Sequence, residues 1–345
     1  MNVCLLLDDA ETLGGIQLMA LDTVESLFKG GFRVTLVTRR VGSWFLRRLL
    51  SMGSVQVALR RPLPTSTANI ILDAVQSFPS DCGLRFNFHG DVQPVDADII
   101  YFHQFNVDYG FRSSARVRLK LLPQWEIRRR FLERVKENNR LVLVNSTFTM
   151  AEARHFWGLT NVEVLHPPVH VERYSDWPDG PRPRRVATVH RLDDYMLKVI
   201  KEVASSLDYE FVVMGSVKNV SSLKELSRLP RNVKVIPNAD EPTKKAYLQA
   251  SRAYFNANMF VEGFGIAVVE GMAAGALPVV RNVGGHLDYA PEDYMFNGID
   301  DAIDKVEKAV ESWDYEKASL MRSIAQRFSL GAYTDRLINI ITKFL

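Results

Sequence analysis

Phe260-Val-Glu-Gly-Phe-Gly-Ile-Ala-Val-Val-Glu-Gly-Met-Ala-Ala-Gly275, continued by Ala276-Leu-Pro-Val-Val280, reads as loop, helix and strand in succession. Glu262 falls in the loop, Gly263 and Gly265 flank the helix start, and Glu270 falls inside the helix. A helix N-terminus presents unpaired backbone N–H groups and partial positive charge, and glycines let a ligand approach the backbone. Eight helical residues rise roughly 12 Å. Two carboxylates so spaced can reach both ends of a ligand whose diphosphate rests on the helix start, so the segment predicts an anion site inside an α/β domain.

The same alternation extends in both directions. Upstream, 185–189, 211–214, 233–236 and 253–256 predict strands, separated by helices at 195–206, 223–227 and 243–250. In the first half, 3–7, 34–37, 98–102, 141–144 and 162–165 predict strands, with helices at 16–28 and within 112–138. Between Tyr174 and Arg185 the chain turns to Ser-Asp-Trp-Pro-Asp-Gly-Pro-Arg-Pro-Arg, which breaks both kinds of regular structure. The expectation is α/β: an N-terminal Rossmann-like domain over 1–175, a linker at 176–185, a C-terminal Rossmann-like domain over 186–329, and a final helix at 330–345 that can return to the first domain.

A chain of 345 residues suits two domains, and 47% hydrophobic with 24% charged residues places it among globular proteins. A net charge of +3, from 43 basic and 40 acidic residues, is too balanced for wholesale nucleic-acid binding. Charge is uneven locally. Six arginines without an acid lie between Arg39 and Arg61, beside Trp44, Phe45 and several leucines, and ten basic residues face three glutamates between Arg112 and Arg140. Such stretches are solvated faces or contacts with an anionic membrane. Cys4 and Cys82 are too few for a disulfide framework and predict a reducing, cytoplasmic setting, with peripheral membrane contact through 39–61 and 112–140. Asp96-x-Asp98 opens a buried strand, and Pro167-Pro168 separates His166 from His170, so no metal site is read.

Glu262-Gly-Phe-Gly-x4-Glu270 resembles the E-x7-E signature of retaining GT-B glycosyltransferases of family 4. The resemblance continues through Ala273-Ala-Gly-Ala-Leu-Pro-Val-Val280 and Asn282-Val-Gly-Gly285, and through Val144-Asn-Ser-Thr-Phe-Thr149 and Val164-Leu-His-Pro-Pro-Val-His170 in the first half. The double proline is similar to the branch that extends lipid-linked mannose oligosaccharides. The resemblance implies the GT-B fold, two Rossmann-like domains facing each other across a cleft, and hexose transfer from a nucleotide diphosphate sugar without a metal or other cofactor. It implies that Glu262 holds the sugar, Glu270 the ribose, and Arg191 with the amides around Gly263, Phe264 and Gly265 the diphosphate. Lys198 is implied to join Arg191 in neutralising the donor diphosphate, but it stands seven residues after Arg191, where the family has five or six, so an ordinary helix lysine is the competing reading. His103, at a strand end, corresponds to a histidine beside the reacting sugar. Gly14-Gly15 and Gly215-Ser216 correspond to loops that meet phosphate, acceptor and donor, though each can simply make a turn. The acceptor implied is a glycan or lipid-linked glycan, and GDP-mannose is favoured over a UDP-sugar. A nucleotide-sugar epimerase of the same fold and a silent nucleotide-sugar-binding homologue are the alternatives.

Overall fold

Val3, Cys4, Leu5 and Leu6 are wholly buried, because the strand they form, β1 (Asn2–Leu6), lies at the centre of a parallel sheet. A computed structural model describes the chain except at residues 12–13, 54, 61–62, 64–65, 76–77, 106–114, 178–179 and 217–219; it describes no side chains at 66–67, 115–122, 220–221 and 223. Around β1 run α1 (Gly15–Lys29), β2 (Arg33–Thr38), α2 (Ser43–Met52), β3 (Gln56–Leu59), α3 (Ser66–Asp73), β4 (Leu84–Asn87), β5 (Ile99–Phe102), α4 (Ala115–Glu137), β6 (Leu141–Val144), α5 (Thr147–Trp157) and β7 (Val162–Val164). The strand order is β3-β2-β1-β4-β5-β6-β7. Ser146 caps α5, its hydroxyl accepting from the Thr149 amide at 3.2 Å.

A second parallel sheet follows, built from β8 (Arg185–Val189), α6 (Asp194–Ser205), β9 (Glu210–Gly215), α7 (Val220–Leu226), β10 (Val233–Pro237), α8 (Glu241–Gln249), β11 (Ala253–Phe255), α9 (Ile266–Ala273), β12 (Leu277–Arg281), β13 (Met295–Phe296), α10 (Ile299–Glu311) and α11 (Tyr315–Gln326). Its order is β10-β9-β8-β11-β12-β13. Asp193 and Asp240 cap α6 and α8, accepting from the amides of Met196 (3.0 Å) and Thr243 (2.9 Å). A final helix, α12 (Leu330–Phe344), ends the chain.

The chain divides into two compact units, Met1–Pro167 with Tyr333–Leu345, and Pro168–Ala332. The division falls between the two prolines and not within 176–185, because that segment is tied into the second unit: Arg182 donates to the carbonyls of Ser251 and Ala274 at 2.8 and 2.7 Å. Most of the last helix belongs to the first unit, where the Tyr333 and Thr23 hydroxyls are hydrogen-bonded at 2.7 Å.

Two expectations are corrected. Cys4 and Cys82 form a disulfide, with Cα atoms 5.5 Å apart. Seventy-eight residues separate them in sequence, but β1 pairs with β4 and sets Val3 opposite Leu84, just past Cys82; the argument from cysteine count to a reducing compartment falls. The arginines of 39–61 do not form one solvated face. Arg39 is buried and bonds the carboxylates of Asp8 and Asp73, and Arg60 reaches Asp73 at 3.3 Å; Arg61 lies outside the described residues. Among the described residues no helix is long and apolar enough to cross a membrane.

Candidate functional site

In the second sheet β8 and β11 are neighbours, and from them the connections leave in opposite directions, so the carboxyl ends of these strands border the crevice where open α/β sheets take ligands. His190 and Arg191 follow β8, Asn256 through Glu262 follow β11, Gly215 and Ser216 close β9, and Asn282 through His286 follow β12. The backbone knits these ends together: Leu192 donates to the Ser216 carbonyl at 2.8 Å, His190 to that of Met214 at 2.9 Å, and Asn256 to that of Val279 at 2.9 Å.

Glu262 is fixed in this crevice. Its Oε2 accepts from Asn256 Nδ2 at 2.7 Å and lies 3.5 Å from His286 Nε2, while the side chain keeps 28% exposure. His286 is fully buried, with Nδ1 at 3.2 Å from the Arg281 carbonyl. Burial by itself raises the Glu262 carboxyl, but bonding and charge from His286, the charge of His190 and the Asn256 amide outweigh it and hold the group down at about 2. The result favours the charged carboxylate, with Oε1 outside these bonds. Asn256, His190 and His286 were not read as site residues in the sequence.

The loop carrying Glu262 lies directly on the loop carrying His286. Gly285 donates to the Glu262 carbonyl at 2.9 Å, and a Cβ on Gly285 would stand 2.1 Å from the Gly263 carbonyl oxygen, so only glycine permits this approach. Gly265 precedes α9 with φ of 91°, leaving the first amides of the helix without a side-chain cap. Val268, Val269 and Met272 are buried, while Ile266, Ala267 and Glu270 are only partly so. Glu270 therefore lies on the stripe of α9 that begins at its amide end. Lys244 of α8, also missed in the sequence, donates to Glu270 Oε1 at 2.9 Å.

The remaining expected residues are placed as follows. Phe264 is core: 3% exposed, its ring is 5.4 Å from that of Tyr289 and 5.2 Å from that of Phe328, so only its backbone can serve a ligand. Arg191 is exposed in the loop after β8. Lys198 is exposed on α6, whose buried face is Met196, Leu197, Val199, Ile200 and Val203. Asp96 and Asp98 are engaged by Arg140 (3.0 Å) and Arg85 (3.0 Å), and no group of side chains suited to a metal occurs among the described residues.

In the first unit β1 and β4 are adjacent. Gly14, extended, precedes α1, which begins at Gly15. His103 follows β5 and donates from Nε2 to the Phe88 carbonyl at 3.0 Å; the rings of Tyr101, Phe88 and His89 lie 4.7, 5.4 and 5.7 Å from its own. Removal from water drives its pKa down to about 4, with His89 adding to the fall and Asp91 and the Phe88 carbonyl opposing it. The imidazole is a neutral hydrogen-bonding group.

Residues 182–327 match the family glycosyl transferases group 1. A curated relative, the "GDP-Man:Man(3)GlcNAc(2)-PP-Dol alpha-1,2-mannosyltransferase" of Dictyostelium discoideum, is 25% identical over 211 residues, 53% of this chain; the chain spans 42% of that protein's length. Among solved structures, HepE of Anabaena in complex with UDP is similar with a TM-score of 0.73 at 15% identity, covering 99% of this chain and 100% of that one. WaaG, "a glycosyltransferase involved in lipopolysaccharide biosynthesis", gives 0.71 at 14% identity, covering 99% of each chain. A glycosyltransferase of Rickettsia africae gives 0.70 at 13%, covering 99% of this chain and 98% of that one. At these identities the structural likeness is one of fold, the GT-B fold.

Proposed function

We propose that this chain, whose residues 182–327 form a glycosyl transferases group 1 domain within a GT-B fold, moves a hexose from a nucleotide diphosphate sugar to an acceptor hydroxyl with retention at the anomeric carbon. The observation that carries the reading is the fixed, ionised Glu262 beside the uncapped amide end of α9. In this scheme the bond from the anomeric carbon to the phosphate oxygen breaks, and its electron pair leaves on the phosphate. The acceptor oxygen bonds the same carbon from the same face and gives its proton to the departing phosphate. Glu262 Oε1 accepts from donor-sugar hydroxyls, Glu270 from the ribose, and the α9 amides with Arg191 stabilise charge on the leaving diphosphate. That role needs no metal ion.

Mannose from GDP-mannose to a glycan or lipid-linked glycan is the favoured pair, supported by the mannosyltransferase activity named for the Dictyostelium relative. A membrane-borne acceptor suits α2, which buries Phe45 and Leu49 and exposes Arg47, Arg48 and Leu50. The 112–140 stretch supports it less. Arg129 and Arg130 are paired with Glu126 at 2.8 and 2.7 Å and Arg140 with Asp96, and the basic side chains of Arg112, Arg116, Arg118 and Lys120 lie outside the described ones.

The test is incubation with GDP- and UDP-sugars, with and without a lipid-linked mannosyl acceptor, following nucleotide release and sugar identity. Acceptor-dependent GDP release is expected. Glu262→Gln and Arg191→Ala should each lower kcat by about 10²–10³ while far-UV circular dichroism stays that of the wild type. An isomerised donor, or binding without turnover, overturns the reading, as do near-wild-type kinetics in both variants.

A further inference from the structure

Lys244 of α8 and Glu270 of α9 meet largely out of water, their side chains 14% and 13% exposed. The ammonium nitrogen lies 2.9 Å from Glu270 Oε1 and 3.0 Å from Oε1 of Glu241, one turn earlier on α8. Glu241 is exposed and is also held by Arg173 at 3.2 Å. We propose that Lys244 is a positioning residue for the donor: it fixes one oxygen of Glu270 and reserves the other for ribose hydroxyls, so that the site selects a ribonucleoside diphosphate over its deoxy counterparts. The proposal rests on the donor reading above, in which Glu270 meets the ribose.

Glu270 stands in the last turn of α9, where the helix carbonyls disfavour a carboxylate, and its removal from water adds to that cost. The pair is not needed for stability as such, because two packed apolar side chains would serve a buried contact as well. What only the pair supplies is a charged oxygen held in place. Burial lowers the Lys244 pKa, but the charge and hydrogen bond of Glu270, with those of Glu241, more than restore it, so the ammonium is kept. The bond to Oε1 also removes rotamer freedom that a ligand would otherwise have to freeze. Among the described residues nothing donates to Glu270 Oε2, and that atom is not sealed from water. An ionised carboxylate oxygen accepts and cannot donate. Ribose hydroxyls meet that requirement, and a deoxyribose lacks one of them.

The test is calorimetric binding of GDP and UDP, and of their 2′-deoxy and 3′-deoxy counterparts, to the full chain and to Lys244→Met, Glu270→Gln, the double variant and Glu241→Gln. The preferred ribonucleotide should bind the wild type roughly tenfold or more tightly than at least one of its deoxy counterparts, the worth of a hydrogen bond to a charged oxygen. Lys244→Met keeps the apolar stem but frees Glu270 to swing toward water, and should cut that ratio to about threefold or less. Glu270→Gln should do the same, and the double variant no more than either alone, as residues acting through one another do. Glu241→Gln should leave the ratio unchanged. Both ligands are measured on one variant, so a general loss of folded protein cancels from the ratio. A full ratio kept by Lys244→Met or by Glu270→Gln overturns the proposal, as do equal losses in Glu241→Gln and Lys244→Met, or a wild type that binds ribo- and deoxynucleotides alike. If GDP is released to acceptor while Lys244→Met keeps the full ratio, the role of Lys244 fails alone. If the ratios behave as expected and no donor is consumed, the transfer reading fails alone.

Discussion

Burial acts on Glu262 and His103 against their charged forms, and the two side chains answer it differently. Around Glu262 an amide and two histidines restore the charge; around His103 three rings and a carbonyl do not, and the imidazole stays neutral to about pH 4. The second case has a thermodynamic consequence. Between pH 6.5 and 4 the unfolded chain takes up a proton at this position that the folded chain refuses. Stability therefore falls as pH drops through this window and levels below it, by up to about 3 kcal/mol for a shift of this size. Urea unfolding at pH 7.0 and 4.5 should show His103→Gln losing less stability on acidification than the wild type; equal losses would show that His103 is not held neutral. Glu262 and Glu270 were legible in the sequence because both belong to one loop-helix segment with a fixed spacing. Asn256, His286 and Lys244 were not, because each reaches the acids from a different element, and only the strand order brings those elements together. Phe264 enters the sequence reading through its backbone amide alone, and its buried ring leaves that reading as it was.

At the scale of the element, α9 and the glycines before it carry the candidate site. Gly265 holds φ of 91°, and a Cβ there would meet the Tyr289 hydroxyl at 2.9 Å and His286 Nε2 at 3.1 Å. Gly265→Ala thus adds backbone strain and presses on the histidine that orients Glu262. A loss of about 2 kcal/mol in stability is expected, together with a larger fall in kcat than in donor affinity, read from urea midpoints and from donor titration. Unchanged stability and turnover would mean that the loop relaxes freely. The strongly apolar strands β1, β5, β6 and β9 could be read from sequence because burial on both faces leaves unbroken aliphatic runs. β4, the partner of β1, was missed: four residues long and containing Arg85, it has neither a run nor an alternation. α2 was hidden in the same way, since its arginines read as a basic patch before they read as one face of a helix.

Across the whole molecule, the first unit is assembled from distant pieces of chain. Its central strand is tied to Cys82 by the disulfide, and α1 is covered by the returning end of the chain, where Ser26 and Thr334 meet at 2.7 Å and a Cβ on Gly30 would stand 2.2 Å from Ile338 Cδ1. Cross-linking residues 78 positions apart removes about 4 kcal/mol of loop entropy from the unfolded chain. The stabilisation is confined to the unit whose strands the bridge joins, because β8 through β13 form a separate sheet. Cys82→Ser, or reduction of the wild type, should therefore raise amide exchange in β1, β2 and β4 by orders of magnitude relative to β8, β9 and β11. Cys82 is partly exposed and Cys4 fully buried, so the serine is better placed at 82, where its hydroxyl can reach water. Equal exchange in both sheets, or none gained in either, would mean that strand pairing alone fixes β1 against β4 and that the bridge is dispensable to the fold.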